Sequence, residues 1–182
     1  MKIGIIGRGN VGGGLAEFWK QAGHDVRAAG RDDVAGAARH GEVVLLAVPA
    51  AAVDDAIANA GSLAGKVLID ATNDISRARE SQAGHVAELA PEARVVKGFN
   101  AIFALTYDKL AALDPPAQVV YCGDDAEAKE IFAGLARDAH LEAIDVGGLE
   151  QAADVEGFAR MIINLAYKQG FGPHVYRFEV PR

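Results

Sequence analysis

The stretch Lys2-Ile3-Gly4-Ile5-Ile6-Gly7-Arg8-Gly9-Asn10-Val11-Gly12 decides the fold of this chain. Residues 2–6 are rich in isoleucine, as expected of a strand that is buried on both faces. Residues 7–12 read G-x-G-x-x-G, and a helical pattern follows from Val11 to Ala22. A strand, a glycine turn and a helix in this order are typical of a dinucleotide-binding unit, because the start of the helix offers free N–H groups to phosphate oxygens.

Each glycine of the motif has its own predicted role. Gly7 allows the tight turn, Gly9 lets the main chain approach a pyrophosphate, and Gly12 lets the helix pack closely on the strand. The other predicted cofactor-binding residues of the turn are Arg8, Asn10 and Val11. A flexible turn without a ligand is the alternative, and the strand and helix that flank the motif disfavour it.

The rest of the chain alternates short apolar runs with helical patterns, which predicts parallel strands joined by crossover helices. Further strands are predicted at 25–29, 42–48, 66–70, 94–97, 118–122 and 142–146, and further helices at 50–60, 76–90 and 126–139. Right-handed crossovers then give an α/β fold, a doubly wound, mostly parallel Rossmann-type sheet with helices on both faces. No linker or repeat divides the 182 residues, so we predict a single domain over 1–182.

The C-terminal part departs from the alternation of strands and helices. Residues 151–169 follow the i, i+3, i+4, i+7 pattern of a helix, and their apolar stripe is wider than one contact needs. We expect this helix to pack on the domain or to form the contact of a homodimer. The tail from Val175 to Pro181 is aromatic, and we expect it to be extended and to pack over a sheet edge.

Composition excludes several classes of protein. The net charge of −7 argues against nucleic acid or an anionic membrane as the main partner. No apolar run reaches the roughly 18 residues of a membrane span, and no leader precedes the first strand, so we expect a cytoplasmic protein. Cys122 is the single cysteine and is expected in the core, and the five histidines lack ligand spacing, so no metal site is predicted.

The end of the second predicted strand bears on the choice between NAD and NADP. An NAD-binding unit has an acidic residue there, which accepts from the ribose 2′-hydroxyl. This chain has Gly30 followed by Arg31, and a guanidinium pairs with the 2′-phosphate that a carboxylate would repel. The sequence therefore predicts NADP(H), with Arg8 reaching the same region. Asp32 and Asp33 leave NAD open, because a shift of one or two residues would return an acid to the site.

With these residues in place, the chain resembles the coenzyme F420 (deazaflavin)-dependent NADP oxidoreductase family and the related oxidoreductase domain of the six-transmembrane metalloreductases. The matching segments are residues 3–12, 30–31, 46–49, 70–73 and 95–100. The resemblance implies that the turns after these strands line the nicotinamide half of the cofactor. The cofactor-binding residues that it adds are Ala47, Val48, Pro49, Ala71, Asn73 and Asn100. The alternative for the two asparagines is a cap on the following helix.

The activity implied by the resemblance is hydride transfer between NADP(H) and a flavin or deazaflavin acceptor. Such transfer depends on positioning, so we predict no catalytic acid, base or nucleophile. Lys97 is read either as part of an ion pair at a surface or interface or as a contact to an anionic substrate. The expected walls of the acceptor site are Pro49, Ala101, Ile102, Phe103, Phe158 and Met161.

Two other functions stay open at the level of the sequence. One is a redox sensor that binds NADP(H) without turnover, since it would share every nucleotide-binding motif. The other is a reductase of small imines or carbonyl compounds, whose first domain has similar motifs.

Overall fold

One seven-stranded sheet forms the centre of the molecule in the computed structural model, which describes residues 1–76 and 78–181. The strands are β1 (Lys2–Ile6), β2 (Asp25–Ala29), β3 (Val43–Leu46), β4 (Val67–Asp70), β5 (Arg94–Lys97), β6 (Ala117–Gly123) and β7 (Leu141–Asp145). The helices are α1 (Asn10–Gln21), α2 (Val34–His40), α3 (Val53–Ala60), α4 (Gln82–Leu89), α5 (Tyr107–Leu110), α6 (Ala126–Asp138) and α7 (Ala152–Tyr167), with 3₁₀ turns at Ala50–Ala52, Ala104–Thr106 and Leu149–Gln151.

The strand order is β2-β1-β3-β4-β5-β6-β7, and the first five strands are parallel. This confirms the doubly wound, mostly parallel sheet. Because β1 lies between β2 and β3, the order of the strands reverses there, and a crevice opens at the carboxyl ends of these strands.

Alternate residues of the strands enter separate cores on the two faces of the sheet. Ile3 and Ile5 of β1 pack with α1 and α6, whereas Ile6 packs on the other face with α2, α3 and α4. The period of two along a strand produces this division. Helix α7 packs against β6 in a third cluster, which includes Val155 and Ile162. None of the helices formed by residues 1–76 and 78–181 has the length and apolar character needed to cross a membrane.

The main differences from the sequence prediction concern four elements. The helix expected over 76–90 begins at Gln82, because Ser81 caps it and the chain before Ser81 forms turns; residue 77 of that prediction lies outside the described residues. Helices α2 and α5 were not predicted, and they have only 7 and 4 residues. Strand β6 runs antiparallel to β5, and the segment that joins them contains the short helix α5.

The C-terminal tail covers an open edge of β6, as predicted. Strand β5 pairs with β6 at Val96–Gly123 and Lys97–Cys122, so among the described strands none pairs with the first half of β6 on that side. There Gln118 donates its N–H to the carbonyl of Tyr176 at 3.1 Å, and Val120 donates its N–H to the Tyr176 hydroxyl at 3.1 Å.

Candidate dinucleotide site

Backbone hydrogen bonds bring the carboxyl ends of five strands into one row. They run from the N–H of Gly7 to Ala29, of Ala47 to Ile6, of Ala71 to Leu46 and of Gly98 to Asp70, at 2.8, 2.8, 3.0 and 3.1 Å. The predicted binding segments, which are far apart in the sequence, therefore meet along a single edge of the sheet.

The three glycines of the motif face different surroundings. A Cβ on Gly7, whose φ is +107°, would lie 2.2 Å from the Ala47 carbonyl oxygen, and a Cβ on Gly12 would lie 1.9 Å from the Gly7 carbonyl oxygen. Packing of the turn therefore requires glycine at both positions. A Cβ on Gly9 would meet no atom of the described residues within 4 Å. No contact with those residues explains the missing side chain of Gly9, which leaves the backbone there open to a ligand.

The start of α1 differs from the starts of the other helices that begin without a 3₁₀ turn. Helices α2, α4 and α6 are capped by the side chains of Asp33, Ser81 and Asp125. The cap of α1 is Gly9, which offers no side-chain cap, and the first turn of α1 contains no acidic residue. The first N–H groups of a helix have no partners within the helix, so those of α1 are available to an anion.

A cavity of about 590 Å³ lies beside the Gly9 turn, over the ends of β1, β2 and β3. Seven of the predicted cofactor-binding residues line it, namely Gly7, Gly9, Gly30, Arg31, Ala47, Val48 and Pro49. Sequence reasoning missed the far wall, which consists of Ala51, Ala52, Asp55, Ala56 and Asn59. This wall could have been found from the i, i+4 spacing of Asp55 and Asn59, which places both side chains on one face of α3.

A second cavity, of about 330 Å³, lies on the other side of the turn, over the ends of β4 and β5. Its lining contains Asn10, Val11, Ala71, Asn73 and Asn100 from the predicted cofactor set, and Ala101, Ile102 and Phe103 from the predicted acceptor walls. It also contains Ile75, Phe99, Ala104, Leu105, Ile162, Ile163 and Tyr167, which were not predicted as site residues. None of these described lining residues is charged.

Three of the predicted acceptor walls lie elsewhere. Pro49 lines the first cavity, because the turn after β3 faces β2 and β1. Phe158 packs against Tyr176 of the tail, with ring centroids 4.8 Å apart. Met161 is 57% exposed. Helix α7 does form a wall of the second cavity, but it is rotated so that Ile162 and Ile163 face inward.

Asn73 and Asn100 are bonded to each other, and neither is the cap of a helix. The Asn73 side chain donates to the Asn100 carbonyl at 2.7 Å, which fixes the orientation of the Asn73 amide. The Asn100 side chain then donates to Asn73 Oδ1 at 3.2 Å. Asn100 Oδ1 is buried without a hydrogen-bond partner within the described part of the chain. The expected capping alternative is therefore wrong.

The acidic residues after β2 have separate partners. Asp33 caps α2 by accepting from the N–H of Gly36 at 3.2 Å, and its hydrogen bond with the Arg27 guanidinium lowers the pKa of the Asp33 carboxyl. Asp32 lies 3.6 Å from Arg8, and both side chains are about two-thirds exposed. Arg8 therefore lies over the end of β2, as the sequence predicted.

Lys97 occupies neither of its expected positions, since it is completely buried inside the chain. Its Nζ lies 2.9 Å from the Asp70 carboxylate and 3.5 Å from that of Glu156. Glu156 in turn accepts from the N–H groups of Gln82 and Ala83, both at 3.0 Å, at the start of α4.

Cys122 is buried in the core as expected, and this burial raises the pKa of its thiol to about 12.

The sheet, the open glycine turn and the two flanking cavities define a dinucleotide-binding protein of the Rossmann class. Comparison with known proteins then narrows the class. The family model for NADP oxidoreductase, coenzyme F420-dependent, matches residues 31–74. The F420-dependent NADP reductase of Methanothermobacter thermautotrophicus is 31% identical over an alignment that is 206 positions long, and the match covers 91% of this chain and 89% of that protein. The chain therefore belongs to the F420-dependent NADP oxidoreductase family.

Two further relatives agree with this assignment. The metalloreductase STEAP3 of Rattus norvegicus is 32% identical over 174 residues, which cover 85% of this chain and 36% of the metalloreductase. This chain thus spans about a third of the length of that relative. A solved structure of a candidate F420-dependent NADP reductase from Arthrobacter sp. FB24 superposes with a TM-score of 0.85 at 27% identity, and the match covers 100% of both chains.

Proposed function

We propose that this chain is a reductase that binds NADP(H) along the edge formed by the strand ends and exchanges hydride with a flavin or deazaflavin acceptor. The observation that carries the proposal is the open position at Gly9, which lies between the two cavities and where a Cβ would have no atom of residues 1–76 or 78–181 within 4 Å. Membership of the F420-dependent NADP oxidoreductase family supports the choice of nucleotide.

The first cavity suits the adenosine half of the nucleotide. Gly30 leaves space at the end of β2, and Arg31 and Arg8 bring two guanidinium groups to that end. A guanidinium forms strong, directed hydrogen bonds with phosphate oxygens. The uncapped start of α1 lies between the cavities and offers N–H groups for the pyrophosphate.

The second cavity suits the nicotinamide and the ring that exchanges hydride with it. NADPH, when bound, supplies the hydride, and the chain has to bind, orient and shield the reacting rings. Ile102, Phe103 and Ile162 provide apolar walls, and the Asn73–Asn100 pair provides polar groups at a fixed position. A lining without charged side chains among the described residues favours exclusion of water, which is the contribution expected of the protein.

The test of the proposal is NADPH oxidation with a panel of flavins and the deazaflavin, followed by the absorbance of the reduced nicotinamide. We expect oxidation with at least one tricyclic acceptor. Tight NADPH binding without oxidation across the panel would favour the sensor function instead.

Because Arg31 is proposed to pair with the 2′-phosphate, Arg31→Ala should raise KM for NADPH about tenfold more than KM for NADH. Arg39→Ala, an exposed arginine on α2, is the matched control. Equal losses for both nucleotides would contradict the assigned role of Arg31.

We also infer that the chain forms a homodimer through the surface around α7. Three apolar side chains that line the second cavity are largely exposed, namely Ile75, Leu105 and Tyr167 at 65%, 64% and 61%. Met161 on α7 and Phe171 just after it are 57% and 67% exposed. Exposed apolar groups in one area mark interaction sites. Sedimentation should give twice the 19.0 kDa of one chain. Met161→Glu should shift the protein toward monomer, and Lys20→Glu on α1 should not; a monomer at micromolar concentrations would contradict the inference.

A further inference from the structure

Two arginines, Arg8 and Arg31, and two carboxylates, those of Asp32 and Asp33, lie near the end of β2. Asp33 has a structural role, because it caps α2 through Gly36 and pairs with Arg27. Asp32 is not the cap of α2. Its side chain is 68% exposed, and its partner in the described part of the chain is Arg8, which the proposed function assigns to the 2′-phosphate.

Gly30 shows where these groups converge. A Cβ built on Gly30 would lie 3.0 Å from Asp32 Oδ1 and 3.1 Å from Arg8 Nε. The carboxylate and the guanidinium therefore border the same small space, beside the first cavity that Gly30 and Arg31 line. Any group that enters this space meets both Asp32 and Arg8.

We propose that Asp32 determines nucleotide specificity by opposing the 2′-phosphate, an inference that rests on the proposed function. A 2′-phosphate has to compete with Asp32 for the Arg8 guanidinium, and it is also repelled by the like charge of the carboxylate. A 2′-hydroxyl faces neither penalty, and it can donate a hydrogen bond to a carboxylate. The two arginines favour the nucleotide that carries the 2′-phosphate. Asp32 thus reduces this preference and narrows the difference in affinity between the two nucleotides.

Two probes isolate the 2′-phosphate from the rest of the cofactor, namely adenosine 2′,5′-bisphosphate and adenosine 5′-monophosphate. Binding of each is measured by calorimetry with the full chain, with Asp32→Asn and with Glu130→Gln. The last variant removes one negative charge at an exposed position on α6, and it therefore controls for net charge. Among the described residues, the side-chain partner of Asp32 is Arg8, and this pair is exposed, so Asp32→Asn should fold normally.

We expect Asp32→Asn to bind the bisphosphate about two- to fivefold more tightly than the unmodified chain, as suits an exposed pair, while its affinity for the monophosphate stays the same or falls. The gain should shrink at high salt, because exposed charges are screened. An unchanged or weaker affinity for the bisphosphate, or an equal gain for both probes, would overturn the role of Asp32 and leave the proposed function intact. If neither probe binds the unmodified chain, the proposed function fails together with this inference.

Discussion

Lys97 and Asp70 form an ion pair, with nitrogen and oxygen 2.9 Å apart, at a place where neither side chain reaches solvent. The pair joins the ends of β5 and β4 just before the turns that line the second cavity. Lys97 also donates to the Thr72 carbonyl at 2.6 Å and lies 3.5 Å from Glu156 on α7. The cluster therefore ties a helix that forms one wall of the cavity to the strand ends that form another.

Lys97→Met should destabilise the fold strongly, because it leaves the Asp70 and Glu156 carboxylates buried without a counter-charge. Breaking one partner of a buried pair typically costs about 3–5 kcal/mol of unfolding free energy. Urea unfolding measures the loss, and Lys109→Met, at an exposed lysine of α5, is the control. Adding Asp70→Asn should recover part of the loss. A change below about 1 kcal/mol in Lys97→Met would show that the cluster is not essential to stability.

The strands of the nucleotide-binding half could be predicted from sequence because their signals are local. For β1, β2 and β5 the observed bounds match the predicted ones. The glycine turn was equally predictable, since a strand, three spaced glycines and a helix follow one another directly. The turns that follow these strands meet along one edge of the sheet, which also follows from the topology of parallel strands.

The remaining parts of the site depend on contacts that no local pattern encodes. A lysine at a strand end indicates a surface position, and only the partners from β4 and α7 make burial of Lys97 possible. The pattern of α7 predicts an apolar face, but the orientation of that face depends on how the helix packs against β6 and α4. This is why Ile162 and Ile163, rather than Phe158 and Met161, line the second cavity.

The turn at Asp74 should contribute stability that depends on pH. Asp74 accepts from the N–H groups of Ser76 and Ala78 at 2.9 and 2.8 Å. The hydrogen bond from the Ser76 hydroxyl, followed by those from backbone N–H groups, holds the pKa of Asp74 below its ordinary value of 3.8. A lowered pKa in the folded state means that the stabilisation is complete above pH 3.8 and is lost as the pH falls through the folded value.

Asp74→Asn should therefore be less stable than the unmodified chain at neutral pH, because its amide nitrogen cannot accept the N–H of Ala78. The difference should disappear as the pH falls below 3.8. Urea unfolding at a series of pH values checks this, with the exposed Asp108→Asn as the control. A difference that is constant from neutral to acidic pH would contradict the assigned cause.

The tail should stabilise β6 through one hydroxyl. Tyr176→Phe removes the acceptor for the N–H of Val120, and a backbone donor that loses its partner in the interior costs about 1–3 kcal/mol. Thermal or urea unfolding measures the loss. Tyr167→Phe is a matched control, since Tyr167 is 61% exposed and loses only a solvated hydroxyl. Equal stability of the two variants would mean that the tail does not support β6.

Alanine substitutions in the glycine turn should separate the demands of folding from those of the nucleotide. In Gly12→Ala the Cβ would lie 1.9 Å from the Gly7 carbonyl oxygen, so the backbone must shift, and we expect a loss of about 1–3 kcal/mol of stability. Gly13→Ala places its Cβ at 3.4 Å from the Arg8 carbonyl oxygen, an ordinary contact, and should add about 0.5–1 kcal/mol by favouring the helix. Neither result depends on a ligand.

Gly9→Ala should leave the stability of the fold unchanged and weaken NADPH binding. The backbone of Gly9 has φ −75° and ψ −163°, an extended conformation that alanine also adopts. The new Cβ would have no atom within 4 Å in the part of the chain that the structure describes. The unfolding free energy should therefore stay within about 1 kcal/mol of the original value. The methyl group would stand where we propose that the pyrophosphate approaches, so the Kd for NADPH measured by calorimetry should rise about tenfold to a hundredfold. Gly13→Ala is the control, because it also adds one methyl group near the turn and should not destabilise the fold. NADPH binding by Gly9→Ala that equals that of Gly13→Ala would show that no ligand passes close to the Gly9 backbone.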